Sequence, residues 1–310
     1  MAKQATRAAY GEAIAELVQE NKNVVVLDAD LAGSTKSGEA KKVCPERHFD
    51  MGIAEGNMMA VAAGLAASGK IAYASTFAVF ATGRAYDQVR NSICYPNLNV
   101  KICATHAGIT VGEDGASHQA LEDIALMRAI PNMHVFQPCD GPEAKAIVKA
   151  VANIDGPCYV RLGRLAVESV NDPETYTYEY GKGIVMQKGE KVAIVATGMM
   201  VQEALEAAKE LDFDPTVVNI NTIKPIDADL IKELAKTHDA IVTVEEHNVI
   251  GGLGGAVAEV LASETDRCPQ YMMGVQDTFG QSGTPAELLD HYGLNAKHIA
   301  EYVKNLCKLI

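Results

Sequence analysis

The sequence predicts an α/β protein built from two doubly wound domains, and three features carry that expectation. Short, continuously apolar runs such as NVVVLDADL (23–31) read as parallel strands covered on both faces. Helix-length stretches with apolar residues at helical spacing separate those runs. The alternation breaks once, around residues 171–187, and then restarts.

Taken in order, residues 5–21 carry Ala, Ile, Leu and Val at helical spacing and lead into the strand NVVVLDADL. A helix over 55–67, a strand IAYAST (71–76), a helix over 81–93 and a strand NVKICATHAG (99–108) follow. Residues 119–129 and 142–153 read as helices, and HVFQP (134–138) and PCYVRLG (157–163) as strands. NDPETYTYEYGKG (171–183) is polar, aromatic and turn-rich, and is expected to be a linker or an exposed hairpin. Beyond it come KVAIVAT (191–197), a helix over 200–211, TVVNI (216–220), a helix over 227–236, AIVTVEE (240–246), GGLGG (251–255) and a helix over 256–263. The expected domains are 1–172 and 188–310, with 173–187 between them.

Composition narrows the function. The 310 residues are 48% hydrophobic and 22% charged, as in ordinary globular proteins. A net charge of −13 disfavours nonspecific binding to nucleic acid or anionic membranes, so anionic substrates would need local cations. The seven scattered cysteines have no CxxC spacing and read as reduced thiols of a cytoplasmic protein. The charged N-terminus lacks the apolar core of a signal peptide, and no run is long and apolar enough to span a bilayer.

Five stretches could carry chemistry. In GIAEGNMMAVAAGLA (52–66), Glu55 opens an apolar helix. An exposed acid favoured by the helix dipole is one reading. The other is a carboxylate in a dry setting, able to share a proton with a basic ring nitrogen. In STFAVFATGRAYDQVR (75–90), Phe77 and Phe80 follow a strand; they are either core or a stacking wall for a planar ligand. THAGITVGEDGASH (105–118) brackets a glycine-rich polar loop with His106 and His118. Such a loop at a strand end holds a site or is a solvated turn, and its spacing does not suit a metal. RLGR (161–164) offers guanidinium groups for surface ion pairs or for anion capture. GGLGG lacks the spacing of a dinucleotide-binding turn and reads as a packing turn.

Together these stretches resemble the C-terminal half of transketolase. GIAEGNMMAVAAGLA is similar to the family's glutamate motif, STFAVF to its aromatic stretch, and THAGITVGEDGASHQ to its substrate loop. LMRAIPNMHVFQPCDGPE (126–143) is similar too, and GQSGTPAELLDHYGLNAKHI (280–299) resembles the last domain of the wider thiamine diphosphate family. The likeness runs from about residue 5 over nearly the whole chain.

The resemblance implies a pyrimidine-binding domain followed by a smaller transketolase C-terminal-type domain. It implies that Glu55 bonds the aminopyrimidine nitrogen of thiamine diphosphate, with Phe80 stacking on the ring and Phe77 beside it. Asp114 is matched to the acid that reads a donor hydroxyl, and His118 to the histidine near the reacting carbons. His106 and Arg164 are matched to the phosphate clamp, whereas Arg161 has no firm counterpart. Family enzymes carry another arginine early in this domain; here ADLAGSTKSGE (29–39) offers Lys36. The GDG motif that holds the metal, magnesium, in the family's N-terminal domain has no counterpart, and GEDG and CDG lie in other contexts. The expectation is therefore the C-terminal subunit of a split transketolase. An N-terminal subunit would complete it in a two-plus-two complex for ketol transfer between sugar phosphates. Deoxyxylulose phosphate synthase, the beta subunit of a 2-oxo acid decarboxylase component, a noncatalytic scaffold of the same fold and a nucleotide module on GGLGG are the competing readings.

Overall fold

The computed structural model describes residues 3–309 and contains both expected α/β layers. In the first, six strands run parallel in the order His134–Phe136, Cys158–Arg161, Val100–Ala104, Ile71–Ser75, Val24–Asp28 and His48–Asp50. Every residue of Val24–Asp28 is buried, as continuous apolar patterning requires of a strand covered on both faces. One cover is the helix Thr6–Glu20, which buries Ala9, Tyr10, Ala13, Ile14 and Leu17 along one stripe. Parallel strands bring their C-terminal ends to one edge, so the loops carrying Phe77 and His106 emerge side by side.

In the second layer, Gln270–Val275, Ala240–Asn248, Val192–Ala196 and Thr216–Asn219 run parallel. The two layers share one apolar cluster, in which Val25, Ala74 and Ile124 lie with Val195, Val218, Ile220 and Leu253.

Several elements differ from the sequence expectation. Residues 171–187 run between the two layers as a pinned connection and form no hairpin of their own. The hydroxyl of Tyr176 donates to Glu143 at 2.7 Å, that of Tyr178 meets Thr222 Oγ1 at 2.9 Å, and that of Tyr180 meets His134 Nδ1 at 2.6 Å. The segment then ends as the strand Ile184–Gln187, antiparallel to Thr216–Asn219. Alternate tyrosines that look solvated in the sequence are thus the pins of a strap. In return, Thr222–Lys224 leaves the second half of the chain to pair antiparallel with His134–Phe136 in the first sheet.

The helix expected over 81–93 is interrupted by two π-type turns, Phe80–Arg84 and Val89–Cys94, around Tyr86–Gln88. The N–H of Ala85 reaches five residues back to Phe80 O at 3.3 Å, which accommodates an extra residue in the turn. The helix expected from 119 begins only at Asp123, because Gln119 and Leu121 bond elsewhere. Of GGLGG, Gly251 and Gly252 turn into the helix Leu253–Leu261, which starts three residues earlier than expected and includes the rest of the motif. The buried Glu245 carboxylate accepts the N–H groups of Leu253 and Gly254 at 2.7 and 2.8 Å. The first-turn amides that a nucleotide phosphate would need are therefore already engaged. The C-terminal helices Pro285–His291 and Ala296–Leu306 start at Thr284 and Asn295, whose side chains cap them.

A buried polar lock joins the layers. Asp123 accepts from Arg161 Nε at 2.8 Å and from Tyr159 OH at 2.6 Å. Arg161 Nη2 donates onward to Ala120 O and to Glu246 O of the second domain, at 3.1 and 3.2 Å. Arg161 is thereby an internal structural cation. Asp123→Ala strands that charge, and chemical denaturation should read a loss of about 3–5 kcal/mol. A loss below about 1 kcal/mol would mean that the lock adds little.

Candidate active site

Glu55 is the first residue of the helix Glu55–Ala67, which buries Met58, Met59 and Ala62 behind it. Its side chain is 6% exposed, so the solvated reading of this acid does not hold in this chain. Arg84 Nη1 donates to Glu55 Oε1 at 3.0 Å while remaining 55% exposed. The other oxygen of Glu55 has no hydrogen-bond partner among the described residues. The Arg84 guanidinium also lies 3.9 Å from the centre of the Phe80 ring. Arg84 is a residue that the sequence reasoning passed over, although it sits four positions after Phe80 in a stretch already singled out. What was missing is the π-type turn, which brings the guanidinium back over that ring.

Beyond Arg84 stands an aromatic wall. Phe77 and Phe80 stack with centroids 5.8 Å apart, and His106 stacks on Phe77 at 3.8 Å. His118 meets Phe80 and Phe77 edge-on, at 5.4 and 6.2 Å. Phe77, which is buried, and Phe80, which is partly exposed, are therefore paired in one wall.

His106 joins the wall to a cationic corner. Its backbone is left-handed (φ +58°), which turns the ring out of the strand line. Arg7 Nη1 lies 3.4 Å from Nε2, and Thr105 Oγ1 lies 2.8 Å from Nδ1. Arginine can only donate, so Nε2 accepts and the ring proton sits on Nδ1. Burial first, then the charges of Arg7 and Arg164, pull the imidazole from its ordinary value of 6.5 to about 3. His106 is thus a neutral group between two guanidinium ions. Arg164 Nη1 donates to Val111 O at 2.6 Å and pairs with Glu113 at 3.1 Å.

Arg7 is the second residue that the sequence reasoning missed. It lies in the first turn of the helix Thr6–Glu20 and also donates to Ser34 O at 2.7 Å. The early cation of this corner is Arg7 and not Lys36. Lys36 takes a left-handed cap conformation and packs its side chain toward Gly11 of that helix. Asp114 is exposed on the loop without a hydrogen bond or ion pair among the described residues. On the same loop, His118 Nδ1 lies 2.9 Å from Ser117 Oγ. Glu55, Phe77, Phe80, His106, His118 and Arg164 are brought together, with Asp114 at the rim.

Comparison with known proteins decides the family. The profile "Transketolase, pyrimidine binding domain" matches residues 2–169, and "Transketolase, C-terminal domain" matches residues 181–299. The chain belongs to the transketolase family. It is 51% identical, over 96% of its own length and 94% of the other's, to the "Putative transketolase C-terminal section" of Methanocaldococcus jannaschii. It is 40% identical to a 6-deoxy-6-sulfo-D-fructose transketolase subunit of a Clostridium species, over 94% of this chain and 91% of that one. Among solved structures it matches a split-gene transketolase, described as an inactive beta4 tetramer, with TM-score 0.90 and 55% identity over 97% of each chain.

Transketolases generally use thiamine diphosphate and a divalent metal, and these residues fit the pyrimidine end of that cofactor. A nearly buried carboxylate with one unengaged oxygen, next to an aromatic face, is the complement of a basic, planar, hydrogen-bonding ring. Glu55, Phe80 and Phe77 would hold it. For the diphosphate and metal, no cluster of three His, Cys, Asp or Glu converges among the described residues.

The depressed pKa of His106 is open to direct test. Nitrogen-15 NMR of the isolated chain should show a neutral ring, protonated on Nδ1, that does not titrate between pH 8 and about 5. The folded state takes up the proton less readily than the unfolded one. The contribution of His106 to stability is therefore fully present above about pH 6.5 and is lost as pH falls toward about 3. Titration of the folded ring near pH 6.5 would contradict this electrostatic picture.

Proposed function

We propose that the chain is the C-terminal subunit of a two-chain transketolase. With an N-terminal subunit it would transfer a two-carbon ketol unit from a ketose phosphate to an aldose phosphate, as in pentose phosphate interconversion. The observation that carries this reading is one continuous surface. A nearly buried acid and an aromatic wall adjoin a neutral histidine flanked by two arginines.

Bound thiamine diphosphate supplies a nucleophilic carbon for a carbonyl donor. The chain's own residues do the rest. Glu55 holds a proton shared with the pyrimidine nitrogen, and its dry surroundings keep water from competing for it. Phe80 and Phe77 fix the ring plane. Arg7 and Arg164 attract a tetrahedral oxyanion at the far end of the sugar, and the forked guanidinium geometry suits phosphate. A neutral His106 shapes that corner without adding a third charge. Asp114 reads the configuration of a donor hydroxyl, and His118 exchanges a proton near the reacting carbons.

The diphosphate and magnesium sites belong mainly to the N-terminal subunit in this reading, and the complex holds two copies of each chain. The likeness to a C-terminal section and to a split-gene transketolase supports the need for an N-terminal subunit, and the beta4 tetramer of the latter supports self-association. Cysteines without disulfides support a cytoplasmic location. The Clostridium relative favours one variation, in which the cationic corner takes a sulfonate in place of a phosphate.

The decisive experiment reconstitutes the chain with an N-terminal subunit, magnesium and thiamine diphosphate. It offers xylulose 5-phosphate with ribose 5-phosphate, 6-deoxy-6-sulfofructose with an aldose phosphate, and pyruvate with glyceraldehyde 3-phosphate. Two-carbon transfer from the first donor without carbon dioxide release is expected. Transfer from the sulfosugar alone would move the substrate class, and turnover of pyruvate would contradict the reading. Glu55→Ala should lower kcat at least about a hundredfold. Unchanged activity in that variant would support a scaffold role instead. Asp114→Ala should raise the donor KM while leaving cofactor affinity within about twofold, as expected of a contact that only the sugar makes. Loss of cofactor binding would refute that assignment.

A further inference from the structure

We propose that Glu246, on the second domain, is a positioning residue for the substrate site: its carboxylate fixes the loop that carries His106, Asp114 and His118. This inference rests on the reading of that loop as the substrate loop.

Three glycines, Gly108, Gly112 and Gly115, give the loop its path at positive φ (+81°, +87° and +72°). Such a sequence is free to move when nothing holds it, because glycine restricts its backbone least. Each of the three lies against the second domain. A Cβ on Gly108 would stand 2.2 Å from Glu246 Oε2, and one on Gly115 would stand 2.5 Å from Ser282 Oγ. One on Gly112 would lie 3.4 Å from Pro285 Cδ. The glycines therefore serve close approach as well as turning.

The contact at Gly108 is a charged clamp. Glu246 Oε2 accepts the N–H of Thr110 at 3.2 Å and its hydroxyl at 2.7 Å, although the two residues are 136 positions apart. Glu246 is 3% exposed. Its carboxylate is not merely the counter-ion of the buried Arg161. That arginine donates to the carboxylate of Asp123, and its hydrogen bond to Glu246 goes to the backbone carbonyl. The side chain is thus directed at the loop. A second tie runs through Gln119, whose Nε2 donates to Ile109 O at 3.1 Å and across the domains to Gln281 O at 3.0 Å. The neck closes where Gly108 N meets Ala120 O at 3.0 Å. A loop clamped at both ends delivers His106 and His118 to the aromatic wall without spending substrate binding energy on ordering.

Two measurements test the clamp. The first is hydrogen exchange of amides 106–118 in the full isolated chain, independent of any activity. Glu246→Ala and Thr110→Val should each raise exchange there about tenfold, the loss expected for a bond to a charged acceptor. Glu246→Gln keeps an oxygen in place and should restore most of the protection. The double variant Glu246→Ala with Thr110→Val should be no worse than Glu246→Ala, because the hydroxyl bond that Thr110→Val removes is already lost in Glu246→Ala. The second measurement is kinetic, on the complex reconstituted with an N-terminal subunit, magnesium and thiamine diphosphate. Thr110→Val, which has little reason to misfold, should raise the donor KM about tenfold and leave cofactor affinity within about twofold.

Unchanged exchange in Thr110→Val and Glu246→Ala would overturn the clamp whatever the activity. Raised exchange with an unaltered donor KM would overturn the positioning role. A wild-type complex that transfers no ketol unit would remove the parent reading, while the exchange data would still decide whether Glu246 fixes the loop.

Discussion

A carboxylate cannot be set at the head of an apolar helix and kept from water without a partner. At Glu55 the chain supplies only half of one. Arg84 engages one oxygen from an exposed position, and nothing described engages the other. The surroundings explain why the acid stays dry: Met58, Met59 and Ala62 fill the space behind it, and Phe80 lies under the arginine. Every functional argument for this chain depends on that incomplete pairing. The unengaged oxygen is not among the fully buried unpartnered atoms of the described residues, so it keeps a narrow opening through which a ligand can reach it.

The architecture assembles the site from distant segments. Parallel strands deliver Phe77 and His106 to one edge, the first helix brings Arg7 from the N-terminus, and the end of another strand brings Arg164. Burial, and then the two arginines around it, keep the imidazole neutral. The second domain is part of this construction. It shares the apolar cluster of the first, and its strand end touches both the buried Arg161 and the glycine-rich loop.

Much of this was legible in the residues. Continuous β-branched runs marked the parallel strands, and the helix over 55–67 starts and stops where its composition says. GIAEG, STFAVF and GEDGASH each left a structural reading open, and only their joint resemblance to the family's motifs singled them out as a candidate site. What stayed hidden has a common cause: it depends on contacts between segments far apart in sequence. Whether Glu55 is wet or dry is decided by packing, not by its place in a helix. Arg84 needed an extra residue in a turn, which periodicity does not register. Arg7 lies within the helix expected over 5–21, whose spacing assigns it no role; the fold sets it beside His106. The tyrosines of 176–180 looked solvated because their partners, Glu143, Thr222 and His134, lie tens of residues away.

The measurement closest to the central claim is a structure of the two-chain complex loaded with thiamine diphosphate. A Glu55 carboxylate oxygen should lie within hydrogen-bond distance, about 3 Å, of the pyrimidine ring nitrogen, with the ring against Phe80. A ring bound elsewhere, or a Glu55 side chain turned to solvent in the assembled complex, would contradict the account.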